Sequence, residues 1–162
     1  MPDATTSPRA VLERAHRTLA EHDVDGFADL FAADGVLEAP FARPGAPRQV
    51  AGRETIRAQM RARGEAAHAG GVRLLGFEYQ AVHETADPEV IVAEFREELV
   101  FGDQRRWLPF IQVLRVRDGE IVTFRDYVDN LGVADATSAL PDLRAALMGP
   151  PSHEIENRSA AR

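Results

Sequence analysis

Two carboxylates and one amide have the residue types and spacing to do chemistry: Asp126, Glu97 and Gln112. Side chains alternate between the two faces of a strand. Asp126 therefore falls in register with Val122, Phe124 and Val128, and Glu97 with Ile91, Ala93, Phe95, Leu99 and Phe101. Gln112 shares its parity with Leu108, Phe110, Leu114 and Val116. A carboxylate among apolar side chains loses hydration, and its pKa rises unless a partner compensates. Such a group exchanges protons at workable pH. The arrangement can support general acid–base chemistry, and Asp126, Glu97 and Gln112 together form a candidate site in which Asp126 is the first choice. A purely structural role is the competing reading. Glu97 would then pair with an arginine such as Arg125 or Arg61, Asp126 would cap a turn, and Gln112 would be a hydrogen-bonded core residue.

The elements that must position these groups follow from periodicity and punctuation. Ser7-Pro8 reads as a helix cap and first turn, opening a helix to about His22 with Val11, Ala15, Thr18 and Leu19 at helical spacing. A second short helix starts at Asp23, with Phe27, Leu30 and Phe31 as its stripe and Asp34-Gly35 as its stop. Val36 to Ala39 reads as a short strand, and the proline-rich segment Phe41 to Ala51 as a loop. A third helix over Arg53 to Ala66 turns Ile56, Met60 and Ala66 inward. Four strands follow, Val72–Glu84, Val90–Phe101, Arg105–Arg117 and Ile121–Asp129, an antiparallel meander after helices. The predicted class is thus α+β.

The inward faces predict an apolar substrate pocket of Phe95, Leu99, Phe110, Leu114, Phe124 and Val128, with Phe31 and Met60 from the helices. On the opposite face Trp107, Ile111 and Val113 are apolar enough to suggest burial against a second subunit. Tyr127 and Arg125 point away from Asp126 and read as structural or interfacial. His83 would reach the pocket only if it keeps the parity of Phe77 and Tyr79, and a place near the turn at the surface is expected instead. Residues 1–133 form the predicted domain. Residues 134–162 form a tail with one helix around Leu140 to Leu147, and the last ten residues are expected to be disordered.

Composition bounds the function. The 162 residues suit one domain, and 44% hydrophobic with 28% charged residues is ordinary for a globular protein. A net charge of −7 argues against nucleic-acid and anionic-membrane partners. No apolar run approaches the ~20 residues of a bilayer span, and the first residues carry no basic-apolar leader, so a cytoplasmic location is expected. With no cysteine, thiolate nucleophiles and Cys-zinc sites are excluded; with all 19 basic residues arginine, so are Schiff bases. The five histidines show no ligand spacing, so neither metal nor other cofactor is expected.

Two stretches carry a family resemblance. One is His22-Asp23-Val24-Asp25-Gly26-Phe27 with Leu30-Phe31-Ala32-Ala33-Asp34 and Ala51-Gly52-Arg53-Glu54-Thr55-Ile56. The other is Asp118-Gly119-Glu120-Ile121 leading into Phe124-Arg125-Asp126-Tyr127-Val128-Asp129. Over residues 8–132 the chain resembles the SnoaL-like polyketide cyclase group of the NTF2-like superfamily, which includes ketosteroid isomerases and limonene epoxide hydrolase. The resemblance implies a cone: a curved, mostly antiparallel sheet wrapped around three N-terminal helices, with an apolar pocket inside and homodimers formed through the outer sheet face.

The family's chemistries transfer unevenly. The ketosteroid-isomerase tyrosine, base and neutral acid, a standard example of pKa tuning, would fall on Ala15, Ala39 and near Pro109. The epoxide hydrolase's two acids fall on Asp126 and near Glu97, but its arginine falls on Phe95 and its water-holding pair on Leu37 and Ala39. The SnoaL-type single aspartate maps onto Asp126, with its histidine near Gln112. The resemblance therefore implies a cofactor-independent enzyme performing aldol-type cyclisation or isomerisation on a hydrophobic polyketide- or terpenoid-like compound. The alternatives are a non-catalytic binding or dimerisation module, or an epoxide hydrolase.

Overall fold

Residues 5–149 are described by the computed structural model of the chain. Helix α1 (Pro8–Ala20) begins where Ser7 Oγ accepts the Ala10 N–H at 3.3 Å, and it buries Val11, Leu12, Ala15 and His16 along one stripe. Helix α2 (Val24–Asp29) is capped by Asp23, which accepts from the Gly26 N–H. The chain then enters β1 (Phe31–Glu38), crosses a loop into β2 (Gln49–Ala51), and forms α3 (Arg53–Ala69). The meander follows: β3 (Val72–Glu84), β4 (Val90–Phe101), β5 (Gln104–Arg117) and β6 (Glu120–Val128). Helices α4 (Asn130–Ala136) and α5 (Leu140–Met148) end the described chain.

The six strands form one curved sheet in the order β2-β1-β6-β5-β4-β3, antiparallel except for the parallel pair β1–β6. A parallel pair needs a long crossover, which here comprises β2, α3 and strands β3 to β5. Helices α1 and α3 pack on the sheet, and α2 bridges them to β1. One end of the interior is closed by aromatic rings: Phe27 meets Phe31 and Phe124 edge-on at 5.3 and 5.6 Å. Arg53 ties the start of α3 to β1 by donating to the Phe31 carbonyl at 2.6 Å.

The α+β cone matches the sequence expectation, and the strand parities of β4 and β5 hold without exception. Several local expectations are corrected. Phe31 opens β1 and does not belong to the second helix, because the helix ends at Asp29 once its apolar stripe is covered. The first strand accordingly starts earlier than Val36, and Gln49–Ala51 in the proline-rich segment pairs with it as β2. Ala66 is exposed, since α3 overhangs the sheet at that point and only Ile56 is fully buried. A register shift between the Arg115–Thr123 and Val116–Ile121 pairs turns Ile121 inward, so Val122 does not share the Asp126 face as its parity implied. His83 lies at the surface as expected: a second shift, between Tyr79 and Ala81, puts it on the outer face, where it bonds Glu94 at 2.7 Å. The expected tail helix is α5, but among the described residues α4 precedes it and runs across residue 133, and Ala134 and Leu143 are buried. The expected disorder of the last ten residues concerns positions outside those described.

The irregular stretch of β1 between Phe31 and Val36 depends on Gly35, where a Cβ would sit 2.7 Å from the Ile121 carbonyl oxygen and 3.0 Å from that of Ala32. Gly35→Ala is expected to destabilise the fold by about 1–3 kcal/mol, read as a lower urea midpoint with unchanged slope.

Candidate active site

Cross-strand register assembles the site. On the inner face of the sheet Gln112 lies directly opposite Asp126, and Ala93 opposite Gln112. The next inward row is Tyr79, Phe95, Phe110 and Val128, and the row beyond it is Phe77, Glu97 and Leu108. Asp126 and Glu97 thus flank an aromatic floor, in which the Phe95 and Phe110 rings stack at 5.9 Å with 11° between their planes. Helix α4 folds back at the Glu97 end, where a Cβ on Gly132 would meet the Leu108 side chain at 3.1 Å. Asp129 caps this helix by accepting the Gly132 N–H at 2.9 Å.

Of the predicted pocket residues, Phe31, Leu114 and Phe124 lie in the closed core, each at 2% exposure or less. Phe95, Phe110 and Leu99 line the sheet floor, while Val128 and Met60 are half-buried at its margins. Asp126 and Glu97 keep part of their surface accessible although protein crowds around both carboxyls.

The structural alternatives for the acids are not realised. Arg125 pairs with Glu38 at 2.7 Å, and Arg61 with Asp25 at 2.9 Å. Among the described residues no cation lies within ion-pair distance of either Asp126 or Glu97. Burial pushes the Glu97 carboxyl up to about 8, reinforced by the negative charge of Asp126 and eased by Arg63 on α3. Asp126 is also raised by burial, but Arg63 and the Gln112 amide act against the rise. At neutral pH Glu97 is therefore the proton carrier, and Asp126 is the acid better supported as an anion.

Two further residues join the site that the sequence reading did not single out. His16 Nε2 lies 2.8 Å from Gln112 Oε1, and His16 Nδ1 lies 2.7 Å from the Tyr79 hydroxyl. Gln112 Nε2 donates in turn to Asp126 Oδ1 at 3.2 Å. Burial lowers His16 to about 4, with the Gln112 contact opposing, and burial raises Tyr79 to about 12. A signal for His16 existed: it stands four residues after Leu12 and next to Ala15 on the apolar stripe of α1. Its partners could not be read locally, because they come from β3 and β5.

Residues 12–124 match the model of the SnoaL-like domain. The chain belongs to this family of the NTF2-like superfamily. A PhzA/B-like protein of Pseudomonas aeruginosa, itself uncharacterised, is 38% identical over 121 residues, spanning 74% of this chain and 82% of that protein. Among solved structures, a candidate isomerase from Bacillus subtilis superposes with a TM-score of 0.73 at 24% identity, covering 86% of this chain and 97% of that one. A candidate polyketide cyclase from Xanthomonas campestris gives 0.61 at 15% identity, with 80% and 95% coverage. These superpositions establish the fold. No helix among the described residues is long and apolar enough to cross a membrane.

The shifted groups predict how stability depends on pH. Between about pH 4.5 and 6.5, unfolding releases the proton of Glu97 while His16 gains one, and the two effects offset. Above 6.5 the His16 gain no longer opposes the Glu97 release, to which the raised Asp126 adds in the same direction, so stability falls as pH rises toward 8, with Glu97 contributing at most about 1.4 kcal/mol per pH unit. Glu97→Gln is expected to flatten that decline, as read by denaturant unfolding at pH 6.5 and pH 8.

Proposed function

We propose that the protein is a cofactor-independent acid–base enzyme acting on a hydrophobic carbonyl compound of polyketide or terpenoid type, by aldol-type cyclisation or isomerisation. The observation that carries this reading is the pair of inward acids, unpaired with any cation, on opposite sides of the Phe95–Phe110 floor, with only Asp126 accepting an N–H from Gln112 among the described residues. The Asp126 carboxylate removes a proton from the carbon beside the substrate carbonyl, while the Glu97 carboxyl donates to the carbonyl oxygen as charge develops there. In a cyclisation the enol carbon attacks a second carbonyl of the same molecule, forming one carbon–carbon bond. The proton held by Asp126 passes to the new alkoxide, and the enol proton returns to Glu97. In an isomerisation the proton is returned at another carbon. The floor orients the substrate so that both acids reach it.

A binding-only module would call for an ion-paired, acid-shifted Asp126, and the raised, cation-free carboxyl speaks against that. Epoxide hydrolysis is less well supported: Phe95 occupies the place of the arginine, and Leu37 and Ala39 those of the water-holding residues. The test is solvent-deuterium exchange at the α-carbon of cyclic ketones and 1,3-dicarbonyl compounds, followed by NMR. Asp126→Asn is expected to slow exchange by about 10²–10⁴-fold, with ligand-induced fluorescence changes retained. The wild-type rate should rise as Asp126 ionises and fall above about pH 8 as Glu97 loses its proton. Ligand binding without any exchange above the solution rate would favour the binding module.

The outer sheet face is read as the contact of a homodimer. Trp107 and Ile111 are 42% and 43% exposed on it, and Arg96 lies 5.6 Å over the Trp107 ring. Sedimentation velocity is expected to show a dimer that Ile111→Arg converts to monomer, with unchanged circular dichroism.

A further inference from the structure

The chain Tyr79–His16–Gln112–Asp126 draws one residue from each of α1, β3, β5 and β6, and its polarity can be worked out from donor and acceptor chemistry. Gln112 Oε1 only accepts, so the His16 Nε2 facing it at 2.8 Å must carry the proton. A neutral imidazole has one N–H, so Nδ1 must accept, and the Tyr79 hydroxyl 2.7 Å away must donate. The Gln112 amide is then left with its N–H toward Asp126 Oδ1. The reverse polarity would rotate the amide, turn Oε1 toward Asp126, and require a proton on that carboxyl. His16 would then carry its proton on Nδ1.

We infer that His16 and Tyr79 are positioning residues that lock the Gln112 amide with its N–H facing Asp126, so that Asp126 is presented as a base. The lock is rigid because the imidazole is itself clamped: it stacks on Phe77 at 4.1 Å with 6° between planes, and packs against Phe95 at 4.6 Å. Both the aromatic clamp and the two hydrogen bonds select one ring orientation. Without the lock the amide is free to turn, and the carboxylate loses its one side-chain donor among the described residues. The charged groups bearing on Asp126 are Glu97 of β4 and Arg63 of α3. Those bearing on Tyr79 are Glu13 and Arg9 of α1. None of them contacts the Gln112 amide, so the lock acts through His16 alone.

The inference rests on reading Asp126 as the base, yet its readouts are titrations and a tautomer, so it can fail while turnover persists. In ¹⁵N-labelled protein at pH 6, His16 is expected as the neutral Nε2–H tautomer; the Nδ1–H tautomer or an imidazolium would overturn the lock. The Asp126 carboxyl ¹³C titration midpoint should rise by about one pH unit in His16→Phe, as a hydrogen bond to the ionised form is lost. His16→Gln, whose amide can again donate to Gln112, should bring the midpoint back. Should His16→Phe fail to fold, Tyr79→Phe removes a single oxygen and should move the midpoint in the same direction. An unchanged midpoint in the folded variants overturns the inference, even if α-carbon exchange is still lost in Asp126→Asn.

Discussion

Placing carboxyl groups inside a hydrophobic cone without a cationic partner is the constraint around which the interior is arranged. Desolvation alone would keep both acids protonated and leave no base. The fold resolves this by treating them differently. Asp126 receives an N–H from Gln112 and remains the better-supported anion, whereas Glu97 has no such donor and feels the charge of Asp126 across the floor. Arg63 acts on both from α3 without pairing with either. Two chemically similar side chains thus meet different surroundings, and the proposed division into acid and base rests on that difference.

The arginines of the surrounding framework are paired with other acids. Arg57 is engaged with Asp25, Asp29 and Glu54, which ties α2 to α3. Arg115 and Arg117 close on Glu89 at the β5 end of the sheet, and Arg125 on Glu38. These pairs are at least partly exposed and contribute little stability each. The aromatic rings shape the interior itself. Phe27, Phe31 and Phe124 close one end, and Phe95 with Phe110 forms a flat apolar surface at the level of the acids.

Membership of the SnoaL-like family follows from a match over residues 12–124, and the fold from superpositions with relatives of low identity. Neither names a substrate, because the family frame is carried by helix ends, turns and strand parity, whereas reaction type is set by the few inward polar residues. In the proposed reading those residues, among the ones described, are Asp126, Glu97, Gln112 and His16. The isomerase and epoxide-hydrolase sets are incomplete at Ala15, Ala39, Leu37 and Phe95.

Period-two alternation determined by itself that Asp126, Glu97 and Gln112 face the same way as Phe95, Phe110 and Leu114, since a strand has only two faces. It also determined the meander and the three leading helices, because turn residues and apolar spacing are local signals. Tertiary structure decided what those signals could not hold. A register shift moved Ile121 inward in place of Val122, and a shift depends on the partner strand as much as on its own residues. Arg61 and Arg125 turned away to Asp25 and Glu38, leaving the acids unpaired. Above all, packing of α1 on the sheet brought His16 within reach of Gln112 and Tyr79, residues 96 and 63 positions away. No local pattern encodes such a contact, because it exists only where a helix face meets a curved sheet.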